Sequence, residues 1–427
     1  LIYKVSGHDP VINEHDADTG YLESITEDAV EYFEQITEFR NYDNKCNTGT
    51  LVEAVGTPEQ REYSYIYDSR YHNKIATITE ASVHSGSNKS TTYQYDDFGN
   101  NTSIVIEGFE PDGTPVSRAT SFVYDGPYHQ LTQLDGPRAD VSDTYTIDYY
   151  ADDVTEGNGR ARMKRVTGPL GITLYDNITY TATGKINSYI DANNVQTNMS
   201  YYYGNDRLQS LSQLDLDTGE KRLTEWTYLA TGIVEAITTG EDIADKTTLT
   251  FNYDDARRLT SIVDGLGNTI EYILDSEGNV EQENVRDIND DLKKQLTQTF
   301  DAYNRLQLRA QVNESYTEIW SANGTLDKTV DGKNVTTDYS YDKLRRLTQI
   351  NQDMGGSSPQ TANALTIFNY DIQDNLTYVK NPVNGETIYT YDDLGNQLSR
   401  DSDDTGLTTY IPVSYTHLRA HETNPCI

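Results

Sequence analysis

The sequence predicts an all-β protein built as an array of β-hairpins. A tyrosine-aspartate string recurs along the chain, and the residues just before it alternate with a period of two. The clearest copy is residues 389–396, which read YTYDDLGN. Tyr389 and Tyr391 fall on one face of an extended strand, because successive strand side chains point to opposite faces. The Asp, Gly and Asn residues that follow favour a turn.

The recurrence of this string indicates a repeat array. Close copies are FNYDDARRL at 251–259, YSYDKLRRL at 339–347 and YQYDDFGN at 93–100, and weaker copies begin at 65, 122, 299 and 368. Asp371 and Asp392 of neighbouring copies are 21 residues apart, whereas Asp96 and Asp125 are 29 apart. The period is therefore close to 21 residues with insertions, which favours one array over several unrelated domains.

Each repeat is interpreted as two short strands and two turns. In the copy at 387–410, a strand at 387–391 is followed by a turn, a returning strand at 397–400 and a second turn at 404–406. Residues 264–269 and 331–336 occupy the same place in other repeats, and they are predicted to join one hairpin to the next.

The repeat sets the predicted domain boundaries. Residues 1–35 are poorly defined, residues 36–411 form the hairpin array, and residues 412–427 are a tail without the repeat. Residues 26–39 could also form a short amphipathic helix, but strands from about residue 36 fit the repeat. The tail resembles a translated adapter sequence and is excluded from the fold argument.

The composition suits a sheet that is partly wet on both faces. Hydrophobic residues make up 35% of the chain, and Tyr contributes 34 residues against 8 Phe and 2 Trp. This hydrophobic share is low for a domain built around a compact core. Tyrosine buries a large ring and keeps a hydroxyl that requires a polar partner.

The net charge of −35 argues against binding to nucleic acid or to anionic membrane surfaces. No apolar run approaches the roughly 20 residues of a membrane-spanning helix. The chain opens on Leu1 and no signal peptide is visible, so we expect an internal fragment of a larger protein. Cys46 and Cys426 are the only cysteines and support no disulfide framework.

The repeated aspartates are predicted to form turns, because a catalytic carboxylate pair is needed once and these recur. Three stretches that resemble calcium loops lack the full ligand pattern: 16–20, 215–219 and 401–404. His417 and His421 are spaced i, i+4, but Leu418 stands where a zinc protease requires Glu. The Gly-Leu-Gly at 265–267 lacks the third glycine of a dinucleotide loop.

No catalytic, cofactor-binding or metal-binding residue is therefore predicted, and the chain is predicted not to be an enzyme. The basic cluster of Arg160, Arg162, Lys164 and Arg165 is expected to pair with nearby carboxylates on a strand face and not to bind an anion.

The number of repeats has a consequence for the architecture. About 20 units would give roughly 40 strands about 4.8 Å apart, a ribbon on the order of 190 Å long. Open twisted sheets rarely exceed about 10 strands before they curl. The ribbon is therefore predicted to wind into a spiral whose interior is too wide for side chains to fill.

The recurring string over roughly residues 36–411 resembles the YD repeats of RHS proteins, which include bacterial polymorphic toxins, the cocoon subunits of insecticidal toxin complexes and the teneurins. This resemblance implies a spiralling hollow β-shell, which in the bacterial members encloses a C-terminal toxin domain. It also implies a secreted or cell-surface protein whose partners are the rest of its polypeptide and the enclosed domain. The self-cleaving Asp-Pro segment of bacterial members is not recognisable, since the only Asp-Pro is Asp9-Pro10.

Two hypotheses for function follow. The first is a non-enzymatic shell segment that surrounds a toxin domain absent from this sequence. The alternative is a cell-surface adhesion or carbohydrate-binding module in which exposed tyrosines, such as Tyr201 and Tyr203, stack on glycans.

Overall fold

The computed structural model describes residues 12–15, 22–27, 35–138, 141–241, 245–312, 314–353 and 363–411. Over these residues the protein is all-β, as predicted. The first nine strands are β1 Ile12–His15, β2 Leu22–Glu27, β3 Gln35–Arg40, β4 Thr50–Glu53, β5 Arg61–Tyr67, β6 Ile75–Ala81, β7 Asn88–Tyr95, β8 Asn101–Phe109 and β9 Pro115–Val123.

The middle strands are β10 Gln133–Asp135, β11 Tyr145–Tyr149, β12 Met163–Thr167, β13 Thr173–Tyr180, β14 Ile186–Asp191, β15 Val195–Tyr201, β16 Leu208–Asp215, β17 Lys221–Tyr228, β18 Val234–Gly240, β19 Thr247–Tyr253, β20 Leu259–Val263, β21 Thr269–Leu274, β22 Val280–Arg286, β23 Leu292–Phe300 and β24 Leu306–Gln311. Short 3₁₀ segments lie at Pro127–His129, Val154–Gly159 and Pro169–Gly171.

The last strands are β25 Glu314–Trp320, β26 Leu326–Val330, β27 Thr336–Tyr341, β28 Leu347–Asp353, β29 Asn363–Tyr370, β30 Leu376–Lys380, β31 Glu386–Tyr391, β32 Gln397–Ser402 and β33 Gly406–Thr409. The described residues thus contain 33 strands, whereas about 20 repeats of two strands predicted roughly 40 for the whole chain. Long connections between β9 and β10 and between β11 and β12 occupy lengths of chain in which the repeat predicted further strands.

The chain divides into two compact units. Unit 1 comprises the described residues within 1–121, 136–140 and 317–427, and unit 2 comprises those within 122–135 and 141–316. Within each unit, strands that follow one another in sequence pair antiparallel, for example β7 with β8 in unit 1 and β15 with β16 in unit 2. Each unit is therefore a series of hairpins. Residues 26–39, for which a helix was considered, overlap β2 at one end and β3 at the other. These described ends are paired antiparallel strands, which confirms the strand predicted from about residue 36.

One aspartate organises the turn of each well-formed repeat. In the turn that begins at Asp392, Oδ1 accepts hydrogen bonds from the backbone N–H groups of Leu394 and Asn396, at 3.0 and 2.8 Å. Gly395 adopts a positive φ of 78°, which its lack of a Cβ permits. These bonds satisfy two donors that no strand pairs.

The same two bonds recur in other turns of the described residues, with N–O distances of 2.8 to 3.1 Å. Their first residues are Asp43, Asp96, Asp191, Asp264, Asp287, Asp301, Asp331, Asp342 and Asp371. The motif therefore encodes a turn, as predicted from its composition.

The Asn or Arg at the end of the motif completes this turn. In the Asp392 turn, the Asn396 side-chain amide donates to the second carboxylate oxygen at 2.9 Å. In the Asp342 turn, the Nε of Arg346 takes that role at 2.7 Å. Both side chains place an N–H within reach of the carboxylate, which explains why either residue fits this position.

The tyrosine that ends a strand just before the turn ties many of the hairpins to the preceding one. Tyr95 ends β7, and its hydroxyl donates to the carbonyl of Ile75, the first residue of β6, at 2.8 Å. Equivalent bonds join Tyr67 to Thr48, Tyr149 to Leu131, Tyr180 to Met163, Tyr201 to Ile186, Tyr228 to Leu208, Tyr253 to Val234, Tyr341 to Leu326 and Tyr370 to Leu347. Burial raises the pKa of Tyr95 and of Tyr370, so their hydroxyls stay protonated as donors.

A cation at the end of a turn often stacks on the tyrosine of the next hairpin. Such residues lie 4.9 to 5.6 Å from the ring centres, within the range of cation–π attraction. The pairs are Lys74 with Tyr95, Arg162 with Tyr180, Arg207 with Tyr228 and Arg346 with Tyr370.

Polar contacts hold this architecture more than an apolar core does. Among the described residues, the buried hydrophobic residues are Val52, Ala54, Ala161 and Ile178, whereas buried polar residues are more numerous. Most strand residues are half-buried on both faces, as the composition predicted. No helix in this part of the chain has the length and apolar character needed to cross a bilayer.

Two of the four cations in the basic cluster pair with carboxylates, as predicted. Arg160 pairs with Asp152, and Arg165 pairs with Asp176 at 2.8 Å across the β12–β13 hairpin. Arg162 and Lys164 instead lie over the rings of Tyr180 and Tyr150. Each cation of the cluster therefore has a partner within the protein.

The tyrosine hydroxyl bonds should contribute measurably to stability. Tyr95→Phe removes the bond to Ile75 and keeps the ring, so we expect the free energy of unfolding to fall by about 1 kcal/mol. The matched control is Tyr93→Phe in the same strand, whose hydroxyl has no hydrogen-bond partner among the described residues. Urea unfolding followed by circular dichroism measures both, and equal effects would contradict the role of the hydroxyl bond.

The turn carboxylates predict an acid-sensitive fold. The Asn268 side chain and backbone N–H groups lower the pKa of Asp264, and Arg258 lowers the pKa of Asp254. A carboxyl group with a lowered pKa in the folded state is protonated more readily in the unfolded chain, so falling pH favours unfolding. This stabilisation is complete above the unfolded pKa near 3.8 and is lost as the pH falls through the folded value.

We therefore expect the midpoint of thermal unfolding to stay level from neutral pH to about pH 5 and to fall below about pH 4. Circular dichroism melts across this range measure it. Asp264→Asn removes one of these carboxyl groups and should flatten the acid limb slightly. A midpoint that is unchanged down to about pH 3 would contradict the assignment.

Candidate functional site

A buried carboxylate in unit 1 joins segments that are far apart in sequence. Asp393 follows the turn aspartate of the β31–β32 hairpin and is completely buried. Its Oδ2 accepts hydrogen bonds from the Ser82 hydroxyl at 2.6 Å and from the Phe109 N–H at 2.7 Å. Its Oδ1 accepts from the Val83 N–H at 2.8 Å and from the Gln373 side chain. We call Asp393 and these four donors the Asp393 clasp.

The backbone reinforces the clasp. The N–H of Asp393 donates to the Phe109 carbonyl at 2.9 Å, so Asp393 and Phe109 exchange bonds in both directions. The Gln373 side chain also donates to the Ala81 carbonyl at 3.1 Å. A buried carboxylate is costly unless its oxygens are hydrogen-bonded, and here both are.

The position of Asp393 in the motif does not itself explain its burial. In the copy at 93–100 the equivalent residue is Asp97, whose side chain is 93% exposed, and in the copy at 251–259 it is Asp255, which is also exposed. The chain contacted by Asp393 makes the difference. Its partners Ser82, Val83 and Phe109 precede it by 284 to 311 residues.

Gly108 makes room for this contact. A Cβ at Gly108 would lie 2.3 Å from the Cβ of Asp393 and 2.5 Å from its Oδ2. A glycine in a strand interior signals a close approach of another backbone, and Gly108 in β8 is the one local sequence signal of the clasp.

A chain of alternating charges lies in the same unit. Asp374 bridges Arg61 and Arg346 at 2.6 and 2.8 Å. Arg61 also pairs with Glu53, and Arg346 with Asp342, at 2.6 and 2.7 Å. Burial alone would lower the pKa of Arg61, but the bonds to Asp374 and Glu53 outweigh it and raise the pKa. Arg61 and Asp374 thus form a second contact between early and late hairpins, 313 residues apart.

The other motifs considered in the sequence acquire structural roles where the structure describes them. Asp215 accepts from the N–H groups of Asp217 and Thr218, and Asp403 accepts from the Glu386 N–H at 2.8 Å. The glycine pair at 265–267 lies in the β20–β21 turn. Residues 16–20, His417 and His421 lie outside the described residues. Within the described ranges, no group of three or more His, Cys, Asp or Glu residues could hold a metal ion.

These contacts position backbone and give the site a mechanical role. The carboxylate of Asp393 is buried and accepts hydrogen bonds from four donors, so both of its oxygens hold the surrounding chain in place. Its chemistry is that of a clasp that holds late hairpins against early ones within unit 1.

Loss of the clasp carboxylate should destabilise unit 1. Asp393→Ala leaves the N–H groups of Val83 and Phe109 without their acceptor, and we expect the free energy of unfolding to fall by roughly 3 kcal/mol or more. Hydrogen exchange of the peptides that contain Val83 and Phe109 should accelerate. The control is Asp255→Ala, which removes the equivalent exposed carboxylate. Unchanged exchange in both peptides would contradict the clasp.

Solved structures with the same fold are Tc toxin structures. The crystal structure of TcdB2-TccC3-TEV matches with a TM-score of 0.53 and 14% identity, and that of TcdB2-TccC3-Cdc42 with 0.51 and 13%. The Tc holotoxin pore of Photorhabdus luminescens matches with 0.53 and 13%. Each match covers 94% of the present chain and 25% of the other chain.

Comparison of the sequence with family models and with curated proteins gives no match. The chain spans about a quarter of the length of the toxin chains that it resembles, and at 13–14% identity the likeness concerns the fold. The resemblance to YD-repeat RHS proteins, which include insecticidal toxin complexes, is confirmed at the level of the fold: the present chain is a repeat segment with the fold of these toxin structures.

Proposed function

We propose that this chain is a non-enzymatic wall segment of a larger RHS-repeat shell, and that the shell encloses a toxin domain carried C-terminally in the same polypeptide. The fold likeness to Tc toxin structures supports the wall role. The enclosed domain and a secreted or cell-surface location belong to the proposal.

The Asp393 clasp is the observation that carries the proposal. A flat ribbon of hairpins keeps its early and late strands apart, because each strand adds about 4.8 Å. In unit 1, residues that are 284 to 313 apart in sequence are hydrogen-bonded or ion-paired. A ribbon whose late hairpins dock on its early ones suits a wall in which successive turns of a winding strip are fastened together.

The use of the polar side chains supports a structural role. Both carboxylate oxygens of a turn aspartate accept hydrogen bonds from within the same turn, as in Asp392 and Asp342. The tyrosine hydroxyls donate to neighbouring backbone. These turn carboxylates and tyrosine hydroxyls are therefore used to hold strands together.

A wall that is partly polar on both faces suits enclosure. Water or an enclosed polypeptide can contact either face without meeting a large apolar surface. The net charge of −35 would also favour an enclosed segment of opposite charge.

Limited proteolysis of the complete natural protein that contains this sequence tests the proposal. We expect the polypeptide that follows the repeats to resist a protease that cleaves the same segment rapidly when it is expressed alone. Asp393→Ala should increase the cleavage rate, because it loosens a seam of the wall, whereas Asp255→Ala should leave it unchanged.

If Asp393→Ala does not fold, Arg61→Gln, which removes the contact to Asp374, replaces it. Equal cleavage of the downstream segment in the intact protein and in isolation would overturn the enclosure.

A further inference from the structure

The turn between β15 and β16 departs from the repeat in a way that leaves a cation without its carboxylate. In three aspartate turns, the first residue holds the arginine at the end of the turn at 2.7 to 2.8 Å: Asp254 with Arg258, Asp301 with Arg305 and Asp342 with Arg346. In the β15–β16 turn, Tyr202 takes the place of the aspartate, and its N–H bonds to the Arg207 carbonyl at 2.9 Å.

Tyr150 makes the same replacement between β11 and β12, and comparison of the two turns isolates Arg207. Tyr150 donates its N–H to the Arg162 carbonyl at 2.8 Å, and Arg162 lies over Tyr180 as Arg207 lies over Tyr228. The Arg162 guanidinium donates to the Asn158 carbonyl. The Arg207 guanidinium has neither a hydrogen-bond acceptor nor a carboxylate within ion-pair distance among the described residues.

Arg207 lines a groove of about 290 Å³ that also contains Tyr202, Asn205 and Tyr228. Both tyrosine rings are fixed, since Tyr202 donates to the Trp226 carbonyl at 3.1 Å and Tyr228 donates to the Leu208 carbonyl at 2.8 Å. Their rings meet edge to face at 5.9 Å. The groove is therefore preformed, and its one cation keeps several N–H donors open.

Gly232 allows this arrangement. A Cβ at Gly232 would lie 1.9 Å from a terminal nitrogen of Arg207, so a side chain there would displace the guanidinium. The positive φ of 92° at Gly232 also disfavours other residues. The next hairpin thus shapes the position of Arg207 on two sides, through Gly232 and Tyr228.

We propose that this groove binds a carboxylate-bearing sugar, with Arg207 pairing with the carboxylate in place of the missing turn aspartate. A guanidinium recognises a carboxylate through two parallel N–H donors. Asn205 offers an amide nitrogen for a sugar hydroxyl, and the rings of Tyr202 and Tyr228 give the groove aromatic walls against which a sugar ring can pack. A linear acidic side chain would leave both features unused.

The charge around the groove is compatible with an acidic ligand. Asp206 is the one acid in the turn, and it accepts from the Thr183 hydroxyl at 3.0 Å and does not line the groove. At physiological salt, more distant carboxylates are screened over about 8 Å, so the local guanidinium dominates.

Saturation-transfer NMR of the 427-residue chain tests the inference with glucuronate, glucose and the acidic dipeptide glycyl-glutamate. We expect saturable binding of glucuronate and much weaker binding of the other two. Arg207→Gln should weaken glucuronate binding about tenfold or more, the effect of losing charged hydrogen bonds. Arg162→Gln is the matched control, because it removes the same stacking on a tyrosine and should leave the affinity unchanged.

Circular dichroism establishes that each variant is folded, and Asn205→Ala provides a second test through loss of the amide donor that lines the groove. Absence of glucuronate binding, equal binding of glucose, or equal losses in Arg207→Gln and Arg162→Gln would overturn the site. Preferred binding of the dipeptide would overturn its assignment to a sugar. These outcomes are independent of whether the shell encloses a toxin.

Discussion

The structure depends on one recurring constraint: each turn exposes backbone N–H groups that no strand can pair, and one aspartate satisfies them. Its carboxylate fixes the turn at five residues, with the fourth in the left-handed region, as at Gly395 and Arg345. Because the turn length is fixed, a tyrosine placed just before it can reach the preceding strand, as Tyr95 and Tyr370 do. The Tyr-Asp pair is thus a single device that closes one hairpin and attaches it to its neighbour.

This device explains how a chain with little apolar core remains ordered. Hydrophobic burial is shared among many half-buried side chains, and the specific geometry comes from polar bonds that repeat with the hairpins. The net contribution of one hydrogen bond to the free energy of unfolding is only about 1 kcal/mol, so no single bond dominates. Stability of this kind accumulates along a repeat array, as expected when each repeat contacts mainly the neighbouring repeats.

The sequence predicts what is local and misses what is distant. Strand alternation, the Asp-x-x-Gly-Asn turns and the need of tyrosine hydroxyls for partners all follow from residues within one repeat. The Asp393 clasp does not, because Asp393 and Asp255 occupy the same motif position and differ only in what the ribbon brings against them. Gly108 was the available hint, but a strand glycine indicates a close neighbour without identifying it.

The protein gains specific properties at positions that depart from the repeat. A residue that serves the turn in every copy carries little information about function, whereas a residue that differs from its equivalents has been released from that role. Asp393 is buried where its equivalents are exposed, and it bonds to hairpins that are distant in sequence. Arg207 lacks the carboxylate partner that equivalent arginines have, because Tyr202 replaces the turn aspartate. In a repeat protein such as this one, each position is therefore best compared with its own equivalents, because a departure from the repeat shows which residue has a contact that its equivalents lack, or lacks one that they have.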